Sequence, residues 1–137
     1  MINKKKFFLS FLTLFLTLAS FCQSVRLRET SIGIDFVHND QVLLTYQTAK
    51  AKVPDGIQKD YEKSGFIHPK KSPSGQVLSR IQPKDHYHHY GIWGPWTRAT
   101  ISGREVDFWN LADKKGRVDF GEILSMKEAG GAAELNV

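Results

Sequence analysis

The stretch Ser31-Ile-Gly-Ile-Asp-Phe-Val-His-Asn-Asp-Gln-Val-Leu-Leu-Thr-Tyr46 decides the fold of this chain. In its first half Ile32, Ile34 and Phe36 alternate with Gly33, Asp35 and Val37. The polar residues 38–41 then separate this half from a second apolar run at 42–46. Alternation with a period of two is typical of β-strands, and a short polar segment between two such runs indicates a turn. The stretch therefore predicts two antiparallel strands.

Turn residues recur along the rest of the chain. They are Pro54-Asp-Gly56, Ser72-Pro-Ser-Gly75, Ser102-Gly103 and Gly130-Gly131. Proline fixes φ and glycine accepts a positive φ, so these groups predict turns between short strands. A single helical turn is predicted at Tyr61–Gly65, and no long amphipathic helix or repeat is evident. The chain is therefore predicted to be an all-β, antiparallel β-sandwich, related by analogy to the mutarotase-like supersandwich.

The first 22 residues have the pattern of a secretory signal peptide. Three lysines at 4–6 precede an apolar run at 7–18, and small residues follow, with cleavage predicted after Cys22. The protein is therefore predicted to be exported, to the periplasm or the extracellular space. The alternative is a lipoprotein anchored through Cys22, which the bulky Phe21 disfavours.

Charge and cysteine content limit the function further. The whole chain carries a net charge of +5, but removal of the signal peptide leaves 16 basic residues against 14 acidic ones. A net charge of +2 gives no support for a nucleic-acid partner. The lysine pairs at 70–71 and 114–115 lie beside turn residues and are expected to be solvated. Because Cys22 is the one cysteine, any metal site in residues 23–137 must use His, Asp or Glu.

Residues 83–97 contain three of the five histidines and two of the three tryptophans. The candidate catalytic residues here are Asp85, His86, His88 and His89. In an extended segment His86 and His88 would share one face with Tyr90. They could then act as general acid and base on a sugar hydroxyl, or bind a divalent metal with a third ligand from His68, Glu105 or Asp107. A structural network of hydrogen-bonded histidines is the third alternative.

Four further side chains are candidates for substrate binding: His68, Trp93, Asp107 and Trp109. Tryptophan faces, including that of Trp96, can form a platform for a sugar ring, although the same residues can also fill a sandwich core. Asp107 and Trp109 are two residues apart in an alternating run, so they are expected on one face. By contrast, His38 lies in a predicted turn and is expected to be solvated.

Four motifs occur in the order of a known bacterial family. They are Ser64-Gly-Phe-Ile-His-Pro69, Ser72-Pro-Ser-Gly75, Asp85-His-Tyr-His-His-Tyr-Gly-Ile-Trp93 and Gly103-Arg-Glu-Val-Asp-Phe-Trp109. Over residues 31–137 the chain resembles the PmoA-like proteins, often labelled "methane oxygenase PmoA". A methane monooxygenase subunit consists of transmembrane helices, and this chain has no apolar run long enough for one after its signal peptide. The resemblance instead implies an exported β-sandwich protein, often found in carbohydrate-scavenging bacteria, with no particular reaction attached.

Members of that family are considerably longer, and Ala132–Val137 resembles a strand that has only begun. Residues 23–137 are therefore predicted to be the N-terminal portion of a β-sandwich domain, poorly soluble because of an unpaired edge at 132–137. The predicted function is carbohydrate-directed, either sugar-processing or sugar-binding. The alternatives are a metal-dependent oxygenase or hydrolase and a non-catalytic structural β-domain.

Overall fold

The computed structural model describes residues 24–137, so the predicted signal peptide lies outside the described residues. This part of the chain is all-β and antiparallel, as the sequence predicts. Its strands are β1 (Arg26–Glu29), β2 (Gly33–His38), β3 (Gln41–Gln47), β4 (Phe66–Lys70), β5 (Ala99–Ile101), β6 (Arg104–Val106), β7 (Ser125–Ala129) and β8 (Ala132–Asn136). Short 3₁₀ helices span Lys59–Tyr61 and Leu111–Asp113. No helix within residues 24–137 has the length and apolar character needed to cross a membrane.

Strands β1 to β4 form one sheet in sequence order, with antiparallel neighbours throughout. The turn between β2 and β3 consists of Asn39 and Asp40, whose φ angles of 48° and 61° match the tight turn favoured in hairpins. Because this turn needs only two residues, His38 remains in β2, paired with Gln41. His38 is half-buried there, so the expectation of a solvated turn position is wrong.

Two further hairpins complete the described structure. Ser102 and Gly103 join β5 to β6, and Gly130 and Gly131 join β7 to β8, which confirms both predicted turns. Residues 132–136 pair with β7 along their whole length. The prediction of an unpaired edge at 132–137 is therefore wrong for the edge of β8 that faces β7. The β7–β8 hairpin lies beside β1, where the Leu27 amide donates a 2.5 Å hydrogen bond to Glu128 Oε1.

The predicted helical turn at Tyr61–Gly65 is wrong in position. The 3₁₀ helix covers Lys59–Tyr61 instead, and the chain continues extended after it. Gly65 has a φ of 70°, and its amide donates to the Gln47 carbonyl, which draws this segment against β3. The main-chain pairing of Lys63 with Ala51 holds the same segment in place.

The core between the sheet and the loops is centred on aromatic residues. Phe66, Tyr90 and Leu111 are buried, and the Phe66 and Tyr90 ring centroids are 4.8 Å apart. The Tyr90 hydroxyl accepts a hydrogen bond from Gln82 Nε2 at 2.6 Å and donates one to the Tyr61 carbonyl. Tyr90 is therefore a core residue, and its expected place on a face with the histidines is wrong. Partly buried residues surround this core: Ala51, Tyr61, Ile81 and Trp93.

Candidate functional site

The histidine-rich segment folds into two consecutive turns. The His86 amide donates to the Pro83 carbonyl at 2.8 Å, and the His89 amide donates to the His86 carbonyl at 3.0 Å. Each bond closes a four-residue turn, so the extended conformation expected for this segment is wrong. The physical reason begins at Pro83, which has no amide hydrogen to contribute to a strand ladder.

The turns bring together three imidazoles that a strand would have separated. In an extended segment His89 would lie on the face opposite His86 and His88. In the structure His86 stacks on His89 with ring centroids 4.8 Å apart, and His88 meets His89 edge-on at 4.5 Å. The His86 and His88 centroids are 5.6 Å apart. All three candidate histidines therefore form one group.

Two tryptophans extend this group. The Trp109 ring lies 5.7 Å from the His88 ring and 5.4 Å from the His89 ring, measured between centroids. The Trp93 ring lies 6.0 Å from the His89 ring and 5.6 Å from the Trp109 ring. We call these five residues the His–Trp cluster: His86, His88, His89, Trp93 and Trp109. All are half-buried except His86, which is exposed, so the cluster is open to solvent on one side.

The segment that follows the histidines is fixed against β4. Ile67 and Ile92 exchange main-chain hydrogen bonds of 2.8 and 3.1 Å. Gly91 precedes Ile92 in the chain and follows the buried Tyr90. Gly91 has a φ of 46°, and a Cβ atom there would lie 2.2 Å from the Ile67 carbonyl oxygen. Only glycine permits this approach. The pairing places Trp93 between the core, which it packs against, and the His–Trp cluster.

Asp107 holds the other tryptophan in place. Its Oδ1 accepts hydrogen bonds from the Trp109 amide at 2.7 Å and the Asn110 amide at 3.0 Å, and its Oδ2 accepts one from Asn110 Nδ2. Burial acts to raise the pKa of Asp107, but these hydrogen bonds outweigh it and the pKa is lowered. Asp107 is therefore an ionised carboxylate at neutral pH that positions Trp109.

The charge state of the cluster follows from its burial. Burial lowers the pKa of His88, positive charge at His89 and His86 lowers it further, and only Asp107 opposes them. His88 is therefore neutral at pH 7, with one N–H donor and one acceptor nitrogen. His86 Nδ1 lies 3.0 Å from Asp85 Oδ2. The pKa of Asp85 is lowered. The larger cause is a hydrogen bond from its own backbone amide, and the second is the hydrogen bond from the His86 side chain.

Three sequence candidates make none of the contacts described above: His68, Trp96 and Glu105, which is exposed on β6 opposite Thr100. His68 belongs to β4, its Nδ1 is 2.9 Å from Ser79 Oγ, and its carbonyl accepts a hydrogen bond from Gln47 Nε2. Burial lowers the pKa of His68. Trp96 is 69% exposed.

Among residues 24–137, no group of three or more His, Cys, Asp or Glu side chains is arranged to hold a metal ion. The His86–His88 metal hypothesis stays a prediction, which elemental analysis of the purified protein tests.

The structure also shows a buried charge that the sequence did not indicate. Lys63 is only 1% exposed, and its Nζ lies 5.8 Å from the centroid of the Tyr90 ring. Burial lowers the pKa of Lys63 to about 8, although the negative charge of Asp119 opposes this shift. Lysine is rarely buried, so no local pattern around position 63 predicts this placement.

The fold and the cluster define an antiparallel all-β protein whose loops bring imidazole and indole rings together at a partly open surface. The chain matches the model of a family of unknown function (DUF6807) over residues 33–137, and it belongs to that family. The matched range includes β2 to β8 and every member of the His–Trp cluster. No curated protein and no solved structure matches the chain.

Proposed function

We propose that the protein is carbohydrate-directed and that the His–Trp cluster is its sugar site. The observation that carries the proposal is the contact of the Trp93–Trp109 pair with two half-buried imidazoles. A sugar ring has apolar C–H faces and a rim of hydroxyl groups. Indole faces bind the C–H faces of the sugar, and nearby hydrogen-bond donors and acceptors bind its hydroxyl groups. The cluster supplies indole faces and imidazole nitrogens together, because the centroid of each indole ring lies no more than 6.0 Å from that of an imidazole ring.

The histidines give the site a capacity for proton transfer. When His86 Nδ1–H donates to Asp85, the lone pair of Nε2 is left to accept a proton from a sugar hydroxyl. Neutral His88 can donate and accept hydrogen bonds at the same time. We assign to Asp85 the role of orienting His86. The binding or acid–base chemistry at the sugar hydroxyl groups is assigned to the three histidines, His86, His88 and His89. The motif resemblance to PmoA-like proteins, which are often found in carbohydrate-scavenging bacteria, supports a carbohydrate-directed function without favouring a particular reaction.

Titration calorimetry of the purified protein, guided by a glycan array, tests the sugar site. Trp109→Ala should weaken saccharide binding by at least about tenfold, because the stacking surface is lost. Trp96→Ala is the matched control, since Trp96 is exposed and outside the cluster. Its affinity should be unchanged. A native protein that binds no saccharide would leave the structural β-domain as the better explanation.

Substitution of the histidines tests whether they act together. His86→Ala and His88→Ala should each remove most of the binding or activity. The double variant should be scarcely worse than either single one, because groups that act as a unit are strongly non-additive. Melting temperatures separate the alternatives: full activity in both single variants, with melting many degrees lower, would mean that these histidines only stabilise the fold.

A further inference from the structure

A positively charged cavity lies close to the His–Trp cluster. It has a volume of about 400 Å³ and is lined by Asp60, Leu111, Lys114, Lys115, Gly116 and Arg117. With three cationic side chains and one carboxylate, its walls carry a net charge of +2 at neutral pH. The volume falls in the range of roughly 300–1,000 Å³ that is typical of small-molecule sites.

The positive charge of this cavity is only partly neutralised within the protein. Lys114 Nζ is 3.4 Å from Asp60 Oδ2. The Arg117 guanidinium bonds to Asp119 and to two backbone carbonyls. Lys115, in contrast, takes part in none of the ion pairs found in residues 24–137. The charge of Lys115 acts on Asp107, whose pKa it helps to lower, but Lys115 forms no close ion pair there and can approach a ligand anion.

The cavity and the cluster share one turn of the chain, residues 107–111. A Cβ atom at Gly116 would lie 2.7 Å from the Asp107 carbonyl oxygen, so the cavity wall is in direct contact with this turn. Asp107 binds the Trp109 amide, and the Leu111 amide donates to the Trp109 carbonyl at 3.1 Å. Leu111 lines the cavity, whereas Trp109 belongs to the cluster. The two sites are therefore built on neighbouring residues.

We propose that the cavity is an anion subsite, which takes the carboxylate or sulfate group of an acidic saccharide whose adjoining ring stacks on Trp93 and Trp109. This inference rests on the proposed carbohydrate function. An anionic group would pair with Lys115 and interact with the charges of Lys114 and Arg117. A neutral sugar in the same place would leave Lys115 with only its longer-range attraction to Asp107, so the site selects acidic saccharides over neutral ones.

Calorimetric titration with matched saccharides tests the subsite. The probes are an oligogalacturonate, its neutral methyl ester, and a sulfated galactan oligosaccharide with its desulfated form. The native protein should bind at least one acidic probe about tenfold more tightly than its neutral counterpart. The preference should fall as salt is added, because the charges are partly exposed to solvent. The acidic probe with the larger preference identifies the group as carboxylate or sulfate.

Three lysine variants make the test specific. Lys115→Gln should reduce the acidic preference to about twofold or less, and the affinity for the acidic probe should fall far more than that for the neutral probe. Lys115→Arg keeps the charge and should retain the preference. Lys127→Gln is the control, because Lys127 is exposed on β7 and pairs with Glu134 there. Its preference should equal that of the native protein, and circular dichroism should show the same fold in all three variants.

The outcomes separate this inference from the proposed function. Equal affinity of the native protein for acidic and neutral probes would overturn the anion subsite and leave the carbohydrate site intact. A loss of preference in Lys127→Gln as large as that in Lys115→Gln would also overturn it, since attraction by overall charge would then be the cause. Binding to no saccharide of either kind would remove the carbohydrate function and the subsite with it.

Discussion

Tyr90 gives the sharpest test of how the core supports the cluster. Its side chain is fully buried, and its hydroxyl accepts from Gln82 Nε2 and donates to the Tyr61 carbonyl. Burial raises the pKa of Tyr90 to about 12, so the hydroxyl stays protonated and keeps its role as a donor. Tyr90→Phe removes this one oxygen and retains the ring that packs on Phe66.

The expected cost follows from the two hydrogen bonds. Each contributes a net stabilisation of about 1 kcal/mol, and a buried partner left unsatisfied costs about 1–3 kcal/mol. Because Gln82 is half-buried and can regain some hydration, we expect a loss of about 2 kcal/mol in the free energy of unfolding. For a domain of this size, that loss lowers the melting temperature by about 10 °C.

Urea unfolding and thermal melting of the purified variant measure the effect. Tyr87→Phe is the matched control, because Tyr87 also contacts Tyr61, through its ring, but is only half-buried. Its stability should change by less than about 0.5 kcal/mol. Saccharide binding should persist in both variants, since neither hydroxyl belongs to the cluster. A Tyr90→Phe variant as stable as the native protein would refute this account of the core, and a stable variant without binding would place Tyr90 in the site.

Three further predictions concern the His–Trp cluster and the residues that position it. Gly91→Ala should destabilise the protein by at least about 2 kcal/mol, because the new Cβ would collide with the Ile67 carbonyl; denaturant unfolding measures this, and near-native stability would contradict it. Asp107→Ala should weaken saccharide binding by freeing Trp109, and Asp107→Asn, which keeps the acceptor oxygen, should restore it; equal losses in both variants would show that the charge matters instead. Stability should fall as pH drops from 7 to 5, because the pKa of His88 is lowered in the folded state and the unfolded chain therefore binds the proton more readily. Thermal melts at each pH measure this dependence, and His88→Gln should flatten it. An unchanged slope in the variant would exclude His88 as the source.

Strands β2 and β3 and most of the turns follow from the amino-acid sequence alone. The alternation at 32–36 and the polar residues at 38–41 predicted β2, β3 and the turn between them, and the structure confirms them. Ser102-Gly103 predicted a further hairpin in the same way. Gly130-Gly131 predicted a turn, but not the pairing of β8 with β7. These predictions succeed because strand alternation and tight turns depend on neighbouring residues, whose φ preferences and polarity are visible in a short window.

The sequence also nominated every member of the His–Trp cluster, but the arrangement of these side chains depends on the fold. The turns at 83–89 unite His89 with His86 and His88, whereas alternation along a strand would have separated them. Contacts with β4 and the core fix the chain immediately after these turns. Such contacts join residues far apart in the sequence, and a local pattern does not contain them.

The same reason explains the residues whose roles the sequence misjudged. Tyr90 alternates with the histidines yet is buried against Phe66, which lies 24 positions earlier in the chain. Lys115 is exposed, as expected for a loop lysine, and only the approach of Gly116 to Asp107 shows that it also lines a cavity. Burial and proximity are properties of the folded chain, because packing brings distant segments together and removes water from between them. The sequence therefore specifies which chemical groups are present, and the folding of distant segments onto one another sets which of these groups lie close together.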